Sequence, residues 1–119
     1  MTRLTSLPSE RLISDFVLHA ERYGQHLLEK NKKADRHVDR ANDIVRELRV
    51  RGPAEIRLLL PLLSPADGWV RLSAAAHLVH EEPGLAVPVL RELAAGSEWC
   101  SISARLILQV WESGALQPV

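Results

Sequence analysis

Five histidines and a single cysteine are the side chains of this 119-residue chain best suited to bind a metal or move a proton. His77 and His80 stand three apart and are followed by Glu81 and Glu82. Two ligands at i and i+3 on one helical turn can share a metal. A stable site needs further ligands at a fixed distance, and no HExxH pattern supplies them. The group reads more simply as a polar helix end, where histidine also suits the negative end of the helix dipole. His19 and His26, seven apart, share a helix face and read as its rim. Cys100 is alone, which excludes an intrachain disulfide and a thiolate-rich zinc site. It follows Trp99 near a helix start, where a thiol pKa can fall. The apolar surroundings instead predict a buried, inert cysteine. Ser101 and Ser103 have no evident base, and GxSxG, P-loop, GxGxxG and CxxC patterns are absent. The expectation is a non-catalytic protein with no cofactor and no metal.

Charge offers a different kind of chemistry. Asp35, Asp39, Asp43 and Glu47 recur every four residues, with Arg36, Arg40 and Arg46 between them. Each step of four advances a helix by about 40°, so the acids form a spiral rather than a straight row. Such a surface is an ordinary solvated face or a docking stripe for a basic partner. The candidate partner-binding residues are therefore Asp35, Arg36, Asp39, Arg40, Asp43 and Glu47. Trp111 joins them as the tryptophan expected to be partly exposed. Trp69 and Trp99 open successive helices at matching positions and are expected to be packing anchors, although exposed they would be binding hot spots.

The elements that position these residues are helical. The chain is 46% hydrophobic, rich in Leu, Ala, Arg and Glu, and carries only five aromatic Trp, Tyr and Phe residues, which favours an all-α fold. Fifteen basic and fifteen acidic residues give zero net charge, which argues against nucleic acid as partner. There is no secretory leader and no membrane-length apolar run, so a soluble cytoplasmic protein with no membrane association is expected. A first helix starts at Ser6–Pro8 and runs to about Lys30, its stripe Leu12, Phe16, Ala20 and Leu27, with Gly24 placed for a close backbone approach. A second spans about Lys33 to Arg51 with Ala34, Val38, Ala41, Val45 and Leu48 inward, and Gly52-Pro53 ends it. The third, Pro53 to Leu63, contains Pro61, which should bend or shorten it. Asp67 caps a fourth, Gly68 to His80, that is apolar on two sides and so sandwiched between neighbours. The fifth, Leu85 to Ala95, contains Pro88. Ser97 caps a sixth that ends near Ser113.

Shifting the chain by 30 residues aligns Pro53 with Pro83, Leu60 with Leu90, Trp69 with Trp99, Ala74 with Ala104 and Leu78 with Leu108. A repeat of that length built of two helices is a solenoid signature. The segment LLPLLSPADGWVRLSAAAHL resembles a HEAT repeat through Asp67, Val70, Arg71, Ala74, Ala75 and Leu78. The pair after Pro83 departs from it, with Cys100-Ser101 in place of Val-Arg. With the charged run ADRHVDRANDIVRELRVRGP included, the whole chain resembles the small bacterial HEAT-like proteins grouped as domain-of-unknown-function family 2019. That resemblance implies a right-handed α-α superhelix of about six helices in one domain, 1–119, with helical pairs at about 8–51, 53–81 and 83–113. Such small proteins look similar to immunity proteins, which bind and occlude a secreted bacterial toxin. A nucleic-acid-binding HEAT-like module and a regulatory or scaffold subunit are the alternatives.

Overall fold

The computed structural model describes residues 3–30, 32–64 and 67–119, and these are helical with no strand among them. Asn31 of the first predicted corner and Pro65-Ala66 of the second lie outside the described residues. The fold is all-α. A 3-10 turn at Leu4–Ser6 precedes α1 (Ser9–Leu28), α2 (Ala34–Arg51) and α3 (Pro53–Ile56). A 3-10 helix, Arg57–Leu63, follows, and then α4 (Gly68–Leu78), α5 (Pro83–Ala95) and α6 (Trp99–Glu112). Two compact units result, Met1–Leu59 and Leu60–Val119, with the division inside the 3-10 helix.

In the first unit α1 lies along α2. Leu12, Phe16, Ala20 and Gly24 form a buried i, i+4 row on α1, and Ala34, Ala41, Ile44, Val45 and Leu48 are the buried face of α2. Gly24 closes the row where Leu27 was expected, and Leu27 is instead exposed. Position 27 lies within the angular arc of that row, at about 60° from Leu12, but it falls in the last turn of α1. Phe16, Leu12, Ile44 and Leu48 are fully buried, and each contributes about 1.5–3 kcal/mol of apolar transfer. Gly52 holds φ 126°, a conformation open to glycine, and its N–H satisfies the carbonyls of Leu48 and Arg49. Pro53 then opens α3 as expected.

The third predicted helix is α-helical for only one turn. Pro61 cannot donate to a carbonyl four residues back, and the segment around it, Arg57–Leu63, tightens into a 3-10 helix. In the second unit Asp67 caps α4, its Oδ1 accepting from the amides of Trp69 and Val70 at 2.9 and 3.1 Å. Both sides of α4 are buried through Val70, Ala74 and Leu78 and through Leu72, Ala75 and Val79, and it packs on α5 and α6. Pro88 sits on the exposed side of α5, and the helix continues through it. The cap of α6 is Glu98, not Ser97: the backbone is extended at Glu98, and its carbonyl accepts the first helical bond, from Ser101. No helix of the described chain is long and apolar enough to cross a membrane.

Candidate functional site

On α6 the inward face is made of small or modest residues, Cys100, Ser101, Ala104 and Leu108. The large apolar residues point the other way. Trp99 is 68% exposed, Ile102 53%, Leu106 58% and Val110 39%. At about 100° per residue these four fall within an arc of about 80°, centred nearly opposite the buried face. They form a row of large, exposed apolar side chains along the outer side of α6. A hollow at the Trp99 end is lined by Gly96, Ser97, Glu98, Trp99, Ile102 and Arg105. Arg105 fixes that corner by donating Nε to the Ala94 carbonyl and Nη2 to the Gly96 carbonyl, both at 2.8 Å.

This placement corrects the expectation for Trp99. Trp99 was expected to anchor a corner, and its matching position in α4, Trp69, is half-buried. Trp99 stands mostly in solvent because α6 turns its small residues toward α5 and α4. Trp111, expected to be partly exposed, is half-buried and meets His80 edge-on with ring centroids 5.7 Å apart. Cys100 is buried as expected. Desolvation raises its thiol pKa, and a hydrogen bond to the Glu98 carboxylate at 3.5 Å adds to the shift, so the thiol is not an activated nucleophile.

The charged candidates on α2 divide into two groups. Asp35, Arg36, Asp39, Arg40 and Asp43 are exposed, and Asp43 accepts from Arg46 at 3.0 Å. Glu47 does not belong to a docking face. Its Oε2 takes the Arg51 Nε at 2.8 Å with both side chains largely buried. The same guanidinium reaches the carbonyls of Leu4 and Leu7 and the hydroxyl of Ser9, so it ties the C-terminal end of α2 to the start of the chain. Glu47 is an orienting partner in that tie.

Three histidines meet between α1 and α2, which the reading of His19 and His26 as a helix rim missed. His19 and His37 share a 2.9 Å hydrogen bond between their Nδ1 atoms, in which one ring donates and the other accepts. His26 stacks on His37 with centroids 5.1 Å apart. Burial pushes the His19 pKa down, opposed by Asp15 and helped by Arg40 and Arg22. Burial also lowers that of His37, with His19, His26 and Arg22 adding to it. A hollow of about 200 Å³ opens beside His19, lined by Leu4, Leu7, Arg11, Asp15, Arg40 and Ile44. No group of three His, Cys, Asp or Glu residues among the described residues has the geometry to hold a metal ion.

No protein-family model matches the chain, and no curated protein matches it. A solved structure does: the crystal structure of the protein RPA1889 from Rhodopseudomonas palustris CGA009 superposes with a TM-score of 0.90 over the whole of both chains, at 21% sequence identity. That likeness establishes a shared all-α fold.

Proposed function

We propose that this protein is a non-catalytic binding module that docks a protein partner on the outer face of α6. The exposed stripe Trp99, Ile102, Leu106 and Val110 supports this reading. Apolar side chains on that scale cost solvation until they are covered, and tryptophan is the residue most enriched among binding hot spots. Within the reading, the resemblance to small HEAT-like bacterial proteins of family 2019 suggests the partner: a toxin domain that the protein neutralises in the cytoplasm by occlusion. The nucleic-acid alternative requires a continuous basic groove, whereas Arg36 and Arg40 stand among Asp35, Asp39 and Asp43.

The test is protection. Co-expression with a toxin encoded beside the gene should rescue growth. Trp99→Ser and Leu106→Ser should each weaken binding by about 2 kcal/mol or more, the hot-spot range, while the helical circular dichroism stays unchanged. Rescue undiminished by both substitutions would place docking elsewhere. The lack of a neighbouring toxin gene in every relative would sink the immunity assignment.

A further inference from the structure

Independently of the α6 face, we infer that the hollow beside His19 binds a small organic acid, a monocarboxylate carried on a ring or a short apolar chain. Three elements build the hollow. Arg11, Asp15 and His19 are spaced four apart on α1, each one residue before a member of the buried row Leu12, Phe16 and Ala20. Arg40 and Ile44 line it from α2, and Leu4 and Leu7 close the third side. The chain itself holds those two leucines in place. Their carbonyls accept from the Arg51 guanidinium at 2.9 and 2.6 Å, and the Leu7 amide donates to the Leu4 carbonyl. The apolar wall therefore stands before any ligand arrives, which lowers the ordering cost of binding.

The charges around this wall select the ligand. Two guanidiniums face one carboxylate, and Asp15 is already engaged by the Arg11 Nε at 3.1 Å. Arg40 is exposed and makes no hydrogen bond or ion pair among the described residues. An anion in the hollow meets one unengaged guanidinium and forms a charge-assisted bond with it. His19 adds a directional donor. Its Nδ1 is committed to the His37 Nδ1, which leaves Nε2 as the ring nitrogen available to the hollow. When His37 is the donor in that bond, the His19 proton sits on Nε2 and can be given to a carboxylate oxygen. A cation is repelled by the excess guanidinium. Sulfate or phosphate leaves Leu4, Leu7 and Ile44 unused and sets further negative charge near Asp15. The hollow measures about 200 Å³. An apolar cavity of about 150 Å³ holds benzene, so a benzoate-sized acid fits. Apolar walls with a few convergent polar groups are the usual make-up of a small-molecule site.

The experiment titrates the full chain near neutral pH with benzoate, benzamide and sulfate. Binding is read by backbone amide shifts and by the nitrogen shifts of the histidine rings. Benzoate should bind with a Kd of about 1 mM or tighter, a modest demand on about nine non-hydrogen atoms. It should shift the amides of Leu4, Leu7 and Ile44 and place the His19 proton on Nε2. Benzamide has the same shape without the charge and should bind about tenfold more weakly or worse, as should sulfate. Arg40→Gln should weaken benzoate about tenfold, leave benzamide unchanged and keep the wild-type helical circular dichroism. Leu7→Ala should weaken benzoate and benzamide alike. The inference is overturned by the lack of a saturable shift well above that concentration, or by equal binding of benzoate and benzamide. It is equally overturned by sulfate binding as tightly as benzoate, or by wild-type affinity in Arg40→Gln. Saturable shifts confined to α6 also overturn it, because they place the acid elsewhere.

Discussion

The histidine cluster makes acid a selective destabiliser of the first unit. The Nδ1–Nδ1 bond at 2.9 Å needs a lone pair on one ring. Protonating both rings sets two N–H groups against each other, with a third imidazole stacked on His37 and Arg22 and Arg40 nearby. On α1, Asp15 opposes this at His19, and Glu29, the C-cap of α1, lies 3.8 Å from His26. The net direction is downward for His19 and His37. A group whose folded pKa lies below its unfolded value binds fewer protons when folded, so stability rises with pH across that interval. The full contribution is present above the unfolded value of about 6.5 and is lost as pH falls below it toward the folded values.

Each such group sets a limiting slope of about 1.4 kcal/mol per pH unit. Both rings are partly exposed, so solvent screening reduces this, and a combined loss of roughly 1–2 kcal/mol between pH 7 and pH 5.5 is expected. That is a measurable share of the stability of about 5–15 kcal/mol usual for a domain. Urea unfolding followed by far-ultraviolet circular dichroism at fixed ionic strength gives the slope, and ending at pH 5.5 keeps most carboxylates ionised. His19→Gln with His37→Gln should flatten it. His26, His77 and His80 remain as an internal background. A wild-type curve that is flat over this window, or a double variant with the wild-type slope, would show that the two rings do not share a neutral hydrogen bond in solution.

Three further substitutions test the structural assignments by urea midpoint. Arg51→Ala removes one guanidinium from four acceptors and strands the largely buried Glu47 carboxylate, for an expected loss of about 3 kcal/mol, and Arg51→Lys should recover little because an ammonium cannot reproduce the fork. Asp67→Ala deletes the α4 cap and should cost about 1 kcal/mol, with Asp67→Ser recovering most of it. Lys30 holds φ 54° just beyond α1, so Lys30→Gly should stabilise by about 1 kcal/mol.

Local signals written into single residues proved readable. Asp67 before an apolar run, Gly52-Pro53 between two helices and Pro61 inside a third each act on their own backbone, and each produced the expected cap, break or tightening. The i, i+4 row through Leu12, Phe16 and Ala20 was equally plain. The histidine cluster depends on a long-range pairing, yet a faint signal for it existed. His26 and His37 lie equally far from the corner at 31–32, so a helical hairpin brings them abreast. His19 lies about 10.5 Å further back along α1, and the His37 ring fits between the two at 5.2 and 5.1 Å. Reading each helix face separately hides that coincidence.

The outer face of α6 was hidden for another reason. Ile102, Leu106 and Val110 on one side and Leu108 with Trp111 on another make the helix apolar over a wide arc, and periodicity reports that arc without saying which part is covered. Size decides it. Ala104, Ser101 and Cys100 let α6 approach its neighbours closely, as small residues do at tight helix crossings, while Trp99, Ile102 and Leu106 would hold those neighbours apart. The small face is therefore the packed one, and the bulky face remains outside. A helix that places its largest apolar residues outward spends solvation free energy on a surface its own fold leaves uncovered. That expenditure is the physical argument for a partner.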